Sequence, residues 1–261
     1  RGTDLQGPTD ILTDIDTFST NLSSHFPFVP AAQDLRVHDG FCKSLAREYQ
    51  QLKEKLIDVL DERELWVTGH SLGSSLATIF SYVWTIDTDF DISNLYTFGG
   101  PRVFQSTKEQ PVTRYENVVD NLLRVQLYND PIPDLPHHDN ISNFAKQGSL
   151  YGSIFGAVLG GFIGWASSGT HFRHVGTGVI LFDRGGELVV DDEEFIRLPS
   201  HQKYYICRRG TDTMNSATSD SSPIDFSAHN IEVYIQHVHY LPSIVSETVA
   251  KSFSLDGEHY T

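Results

Sequence analysis

Apolar positions along the chain change their period several times, and each change marks an element. Phe41, Leu45, Tyr49, Leu52, Leu56 and Leu60 recur at steps of three and four. That spacing predicts one stripe of an amphipathic helix about five turns long, starting at Gly40. Leu65 to Thr68 then forms a short apolar run suited to a buried strand, and Ser71 to Phe80 continues as a helix rich in small residues. Residues 92–98, closed by Gly99-Gly100-Pro101, and residues 122–127 predict two further strands. Strands separated by helical stretches imply parallel pairing through right-handed crossovers. The expected class is therefore α/β, a mostly parallel central sheet with flanking helices.

Elsewhere the pattern is looser. Residues 4–36 are punctuated by Pro8, Pro27 and Pro30 and predict irregular structure with one strand at 10–16. Residues 174–182, the turn Asp183-Arg184-Gly185-Gly186 and residues 187–190 predict a hairpin. Residues 208–224, rich in Ser, Thr and Asp, predict a loop. Ile231 to Val238 predicts a last helix with Ile231, Tyr234, Ile235 and Val238 on one side.

Length and composition bound the picture without deciding it. The 261 residues suit one large domain spanning 1–261, with 39% hydrophobic and 20% charged positions as in ordinary globular chains. A net charge of −15 excludes nucleic acid as an expected partner and argues against a polybasic grip on anionic lipid. Cys42 and Cys207 stand far apart and cannot make a CxxC metal site, so two unpaired, half-buried thiols are expected rather than a disulfide. The compartment stays open.

The chemistry is carried by Gly69-His70-Ser71-Leu72-Gly73, a G-x-S-x-G pentapeptide between a predicted strand and a predicted helix. A strand, a sharp turn and a helix with serine at the turn form a nucleophile elbow, whereas a chance match would sit in a Gly/Ser-rich loop. Side chains at Gly69 and Gly73 are expected to collide where strand and helix cross. The Leu72 N–H, at the helix start, is expected to face a developing oxyanion. A serine nucleophile also needs a base and a carboxylate that orients the base. Asp130 directly follows the strand 122–127 in a proline-stiffened loop; its alternative role is an Asx-turn, and Asp134 is the weaker acid candidate. Of twelve histidines, His229 lies after the long polar loop and before the last helix, where a loop-borne base belongs. His174 is the alternative, though it reads as a structural residue opening a strand. His70 is expected to pack beside the elbow. His137 and His138 lie too near the acid loop, and His237 and His239 too far along.

Together with Arg1-Gly2-Thr3, Val37-His38-Asp39-Gly40-Phe41, Thr97-Phe98-Gly99-Gly100-Pro101-Arg102-Val103, Asn129-Asp130-Pro131-Ile132-Pro133 and Ala228-His229, the elbow resembles the class 3 (fungal-type) lipases over residues 1 to about 240. The resemblance implies an α/β-hydrolase that cleaves carboxylic esters of lipids through an acyl-enzyme, with Ser71, Asp130 and His229 catalytic and no metal or organic cofactor. It also implies that Thr3 joins Leu72 in the oxyanion hole. A phospholipase A1 or galactolipase, and a non-catalytic lipid-binding module, are the competing expectations.

The chain departs from the family pattern in two places. In the family, the Arg-Gly-Thr block follows a core strand of its own; here it opens the chain, so a truncated fold lacking N-terminal strands is expected. The second departure is residues 147–170, where 24 consecutive positions carry no Asp, Glu, Lys, Arg or His and glycine recurs at 148, 152, 156, 160 and 164. As a helix it would present a small-xxx-small groove, and about 20 residues would reach the roughly 30 Å of a bilayer core. A lone span between two halves of one sheet is awkward, because both ends must return to that sheet. The expectations are a cap over the acyl site or contact with a lipid interface, and alternatively plain packing on the sheet.

Overall fold

The computed structural model describes residues 19–61, 63–105, 114–115, 117–119, 122–127, 130, 132–134, 172–181, 195–197, 204–207 and 229–238. The three- and four-residue stripe becomes helix α1, Asp39–Leu60, which buries Phe41, Leu45, Tyr49 and Leu60 and leaves Leu52 exposed. Asp39 in its first turn complements the positive end of the helix dipole. Cys42 is free and 0% exposed rather than half-buried, and burial raises its thiol pKa to about 12, so it is an inert core group.

Strands β1 (Ser19–Asn21), β2 (Arg36–His38), β5 (Phe104–Gln105) and β7 (Phe172–Arg173) form a small antiparallel sheet. The central sheet has the order β3-β4-β6-β8-β10-β9, from Leu65–His70, Ile92–Phe98, Leu122–Leu127, Thr177–Leu181, Tyr204–Cys207 and Phe195–Arg197. β3, β4, β6 and β8 are parallel, while β10 joins β8 and β9 antiparallel. Helix α2, Leu72–Asp87, packs between α1 and the β3–β4 edge. It is buried nearly all round, with Ile79, Tyr82, Val83 and Trp84 at 0% exposure, which is why its sequence is apolar on every face rather than striped. Helix α3 covers Ile231–Val238, as the sequence predicts, but of its expected apolar face only Tyr234 is buried among the described side chains; Ile235 is 61% exposed.

The strand expected over 174–182 begins three residues later than the sequence predicts. β7 ends at Arg173 and belongs to the small sheet, and β8 begins at Thr177 in the central one. Gly176 makes the break with φ +75, and a Cβ there would lie 2.4 Å from Leu122 Cγ, so only glycine fits. The strand at 10–16, the arm 187–190, the loop 208–224 and the segment 147–170 lie outside the described residues. Among the described residues no helix is long and apolar enough to cross a membrane.

One core residue ties stability to pH. His38 is fully buried and stacks on Phe41 with ring centroids 4.0 Å apart; burial lowers its pKa to about 4. The unfolded chain takes up a proton below pH 6.5 while folded His38 stays neutral. Its contribution is therefore whole above pH 6.5 and lost as pH falls towards 4, on the order of 3 kcal/mol in all. His38→Phe is expected to flatten the fall in unfolding free energy across that window by about one proton, measured by urea denaturation at several pH values. An unchanged slope would count against it.

Candidate active site

β3 runs to His70 and α2 starts at Leu72, so Ser71 alone makes the turn. It sits at φ 58, ψ −129, a region that L-residues other than glycine enter only when surrounding structure forces them, at about 1–3 kcal/mol. The forcing contacts are visible. Ser71 N–H donates to the Phe98 carbonyl at 3.0 Å, and Ser74 N–H to the Ser71 carbonyl at 2.9 Å. Ser74 Oγ lies 2.7 Å from the Gly69 carbonyl and 2.9 Å from that of Phe98, and accepts the Phe98 N–H at 3.1 Å. A Cβ on Gly69 would lie 2.3 Å from the Gly73 carbonyl oxygen, so the strand must be glycine there. At Gly73, by contrast, an added Cβ would meet nothing within 4 Å; the collision expected at both glycines belongs to Gly69 alone.

Ser74 is thus the pin between elbow and β4. Ser74→Ala leaves the Phe98 N–H without this acceptor and is expected to cost about 1–3 kcal/mol, read as a lower urea midpoint. Unaltered stability would show that the pin is dispensable.

Around the elbow, three segments distant in sequence converge. His229 Nε2 lies 2.7 Å from Ser71 Oγ, and His229 Nδ1 lies 2.8 Å from Asp130 Oδ2. Exposure is 8% for Ser71, 1% for Asp130 and 3% for His229, so this chain of hydrogen bonds runs through a largely water-free site. The network assigns the protons: Nδ1–H donates to the carboxylate, and Nε2 accepts from the serine hydroxyl. Asp130 Oδ1 separately accepts the Ile132 N–H at 2.9 Å. The Asx-turn and the contact with His229 are therefore made by different oxygens of one carboxylate.

The other candidates are placed elsewhere or differently engaged. His174 Nε2 lies 2.7 Å from the Pro133 carbonyl and 3.2 Å from Gln126 Nε2; burial drives its pKa well down, so it is a neutral brace under the acid loop. His70 stacks on His229 with centroids 4.8 Å apart, beside the elbow as expected, and burial first, then His229, lowers its pKa to about 4. Leu72 begins α2, and its N–H is one of the first-turn amides that lack an intrahelical acceptor. Thr3, His137, His138 and His239 lie outside the described residues, as do the side chains of Asp134 and His237. Among the described residues no His, Cys, Asp and Glu cluster could hold a metal ion.

Two residues at the site escaped the sequence reading. Ser74 is three residues past the nucleophile, but its partner Phe98 is 24 residues from it in the chain. Tyr234, fully buried, donates its hydroxyl to Asp130 Oδ2 at 2.5 Å and accepts the Leu127 N–H at 3.2 Å. Its one signal in the sequence was a phenol on the apolar side of the last helix, five residues after His229.

Comparison with known proteins points to one family. A family model described as Lipase (class 3) matches residues 1–140. A protein of Arabidopsis thaliana named triacylglycerol lipase OBL1 is 32% identical over 98 residues, covering 33% of this chain and 18% of the relative. Its counterpart in Ricinus communis is 33% identical over 95 residues, covering 32% and 17%. The chain thus spans less than a fifth of the length of these relatives. Among solved structures, the Rhizomucor miehei lipase in its propeptide complex superposes with a TM-score of 0.53 at 20% identity, covering 85% of this chain and 57% of that one. Lipase II from Rhizopus niveus gives 0.51 at 18% identity, covering 84% and 64%. These structures share the α/β-hydrolase fold expected from the sequence, and the family model covers more than half of the residues. The chain belongs to the class 3 lipase family.

Proposed function

We propose that this chain is a serine carboxylic-ester hydrolase acting on acyl esters of lipids. The observation that carries the proposal is the continuous relay from Ser71 Oγ through His229 to Asp130, with heavy-atom separations of 2.7 and 2.8 Å. As Ser71 Oγ attacks the ester carbonyl, its proton passes to His229 Nε2, and the new C–O bond leaves negative charge on the former carbonyl oxygen. The Leu72 N–H, and with it Thr3, is assigned to that oxyanion. Collapse breaks the ester C–O bond, and the alcohol leaves with the proton held by His229. Water then repeats the sequence on the acyl-enzyme and releases the carboxylic acid. Asp130 stays anionic, keeps Nδ1–H pointing inward and balances the imidazolium.

Lipid acyl esters as substrates are in keeping with the relatives named triacylglycerol lipases. The same reading takes residues 1–261 as one hydrolase domain with a glycine-rich apolar insertion at about 147–170.

A fluorophosphonate probe tests the proposal. Covalent labelling at Ser71, mapped by peptide mass spectrometry and blocked by prior acid unfolding, is the expected result. An unlabelled Ser71 in folded protein would support a non-catalytic lipid-binding module instead.

A further inference from the structure

We infer that Tyr234 is a positioning residue of the hydrolytic site: its hydroxyl locks the Asp130 carboxylate against His229, and it influences turnover only through Asp130. The inference rests on the hydrolase proposed above and goes beyond the three residues of the relay. A carboxylate on a loop turns easily about its last torsion, whose preference is broad. Here three donors from two segments stop that rotation. The Ile132 N–H holds Oδ1 at 2.9 Å, while His229 Nδ1 at 2.8 Å and the Tyr234 hydroxyl at 2.5 Å share Oδ2. The hydroxyl is itself fixed, because it accepts the Leu127 N–H at 3.2 Å from the end of β6.

The surroundings are shaped around this contact. A Cβ on Gly99 would lie 2.8 Å from the Tyr234 hydroxyl and 2.9 Å from Asp130 Oδ2, so the backbone after β4 is pressed against that pair. The ring is held edge-on by His70 at 5.4 Å and by Phe98 at 6.3 Å, the residues flanking the elbow on β3 and β4. Burial, reinforced by the Asp130 charge, holds the phenol protonated far above its ordinary range, so it remains a donor wherever the enzyme works. A phenylalanine would fill the same space. What it would lose is the bond to Oδ2 and the acceptor for the Leu127 N–H. The expected defect is therefore misorientation of His229 by a loosened Asp130 rather than a collapsed core.

The test is a double-mutant cycle of Tyr234→Phe and Asp130→Asn, with active sites counted by fluorophosphonate titration. Tyr234→Phe is expected to lower kcat per titrated site about 10- to 100-fold, the range for partners that orient a functional group, with KM changed less than about twofold. In the Asp130→Asn background the same substitution is expected to change kcat by less than about threefold, because the two act as a unit. A lowered Tm with kcat per site unchanged would make Tyr234 a packing residue and overturn the inference. So would a full loss repeated in the Asp130→Asn background. If the Phe variant does not fold, 3,5-difluorotyrosine at position 234 keeps the shape and alters the donor: a kcat change of about twofold or more at unchanged Tm supports the inference, and an unchanged kcat overturns it. Failure of the parent protein to label at Ser71 would instead remove the hydrolase reading itself, so the two failures are distinguishable.

Discussion

Ser71→Ala should abolish ester hydrolysis, lowering kcat on the order of 10⁵- to 10⁶-fold for p-nitrophenyl esters, while the protein remains folded. The size follows from the relay: without Oγ there is no acyl-enzyme, and His229 has no proton to move from the attacking atom. Residual rate would come only from binding and from the oxyanion donors acting on water. His229→Ala should cost about as much, and the double variant little more, because the residues act as a unit. Stability separates this from unfolding. Ser71 occupies φ 58, ψ −129, and alanine there keeps the strain while glycine removes it. Ser71→Gly should thus be equally inactive but more stable than Ser71→Ala by about 1 kcal/mol. An alanine variant that hydrolyses at the parent rate would end the serine mechanism.

The parts legible in the sequence are those written locally. The elbow combines an apolar run, a five-residue motif and a helix of small residues, all within residues 65–87, and Asp130 follows its strand within a few residues. The last helix begins and ends where its periodicity says. By contrast, the small sheet is built from strands of two and three residues, too short to show an alternation. The neighbour that Gly69 must clear, the pin formed by Ser74 and the clamp formed by Tyr234 all depend on which segments meet in space. The same holds for the histidines. His174 and His229 carry the same ring, and only the fold aims one at the Pro133 carbonyl and the other at Ser71. Even the apolar side of α3 misled, since Ile235 faces solvent and the buried position is the phenol, whose hydroxyl needs a partner.

Asp130→Asn should lower kcat about 10⁴-fold with KM nearly unchanged, and the reason lies in the donor count around this carboxylate. Both oxygens act only as acceptors: Oδ1 from the Ile132 N–H, Oδ2 from His229 Nδ1 and the Tyr234 hydroxyl. An amide has one acceptor oxygen and one NH₂ donor, so it cannot satisfy both sides. With the NH₂ towards Ile132, two N–H groups face each other and the Asx-turn is lost. With the NH₂ towards His229, the imidazole must accept at Nδ1, which moves its proton to Nε2. That tautomer cannot take the serine proton. In either orientation the negative charge that balances the imidazolium is gone, in a site where exposure is 1% at Asp130 and 3% at His229 and water cannot compensate. Single-turnover kinetics would place the loss in the acylation step, and ¹⁵N spectra of the histidine ring would report the proton on Nε2. A variant within tenfold of the parent in kcat, with Nδ1 still protonated, would show that Asp130 is a turn residue and no more.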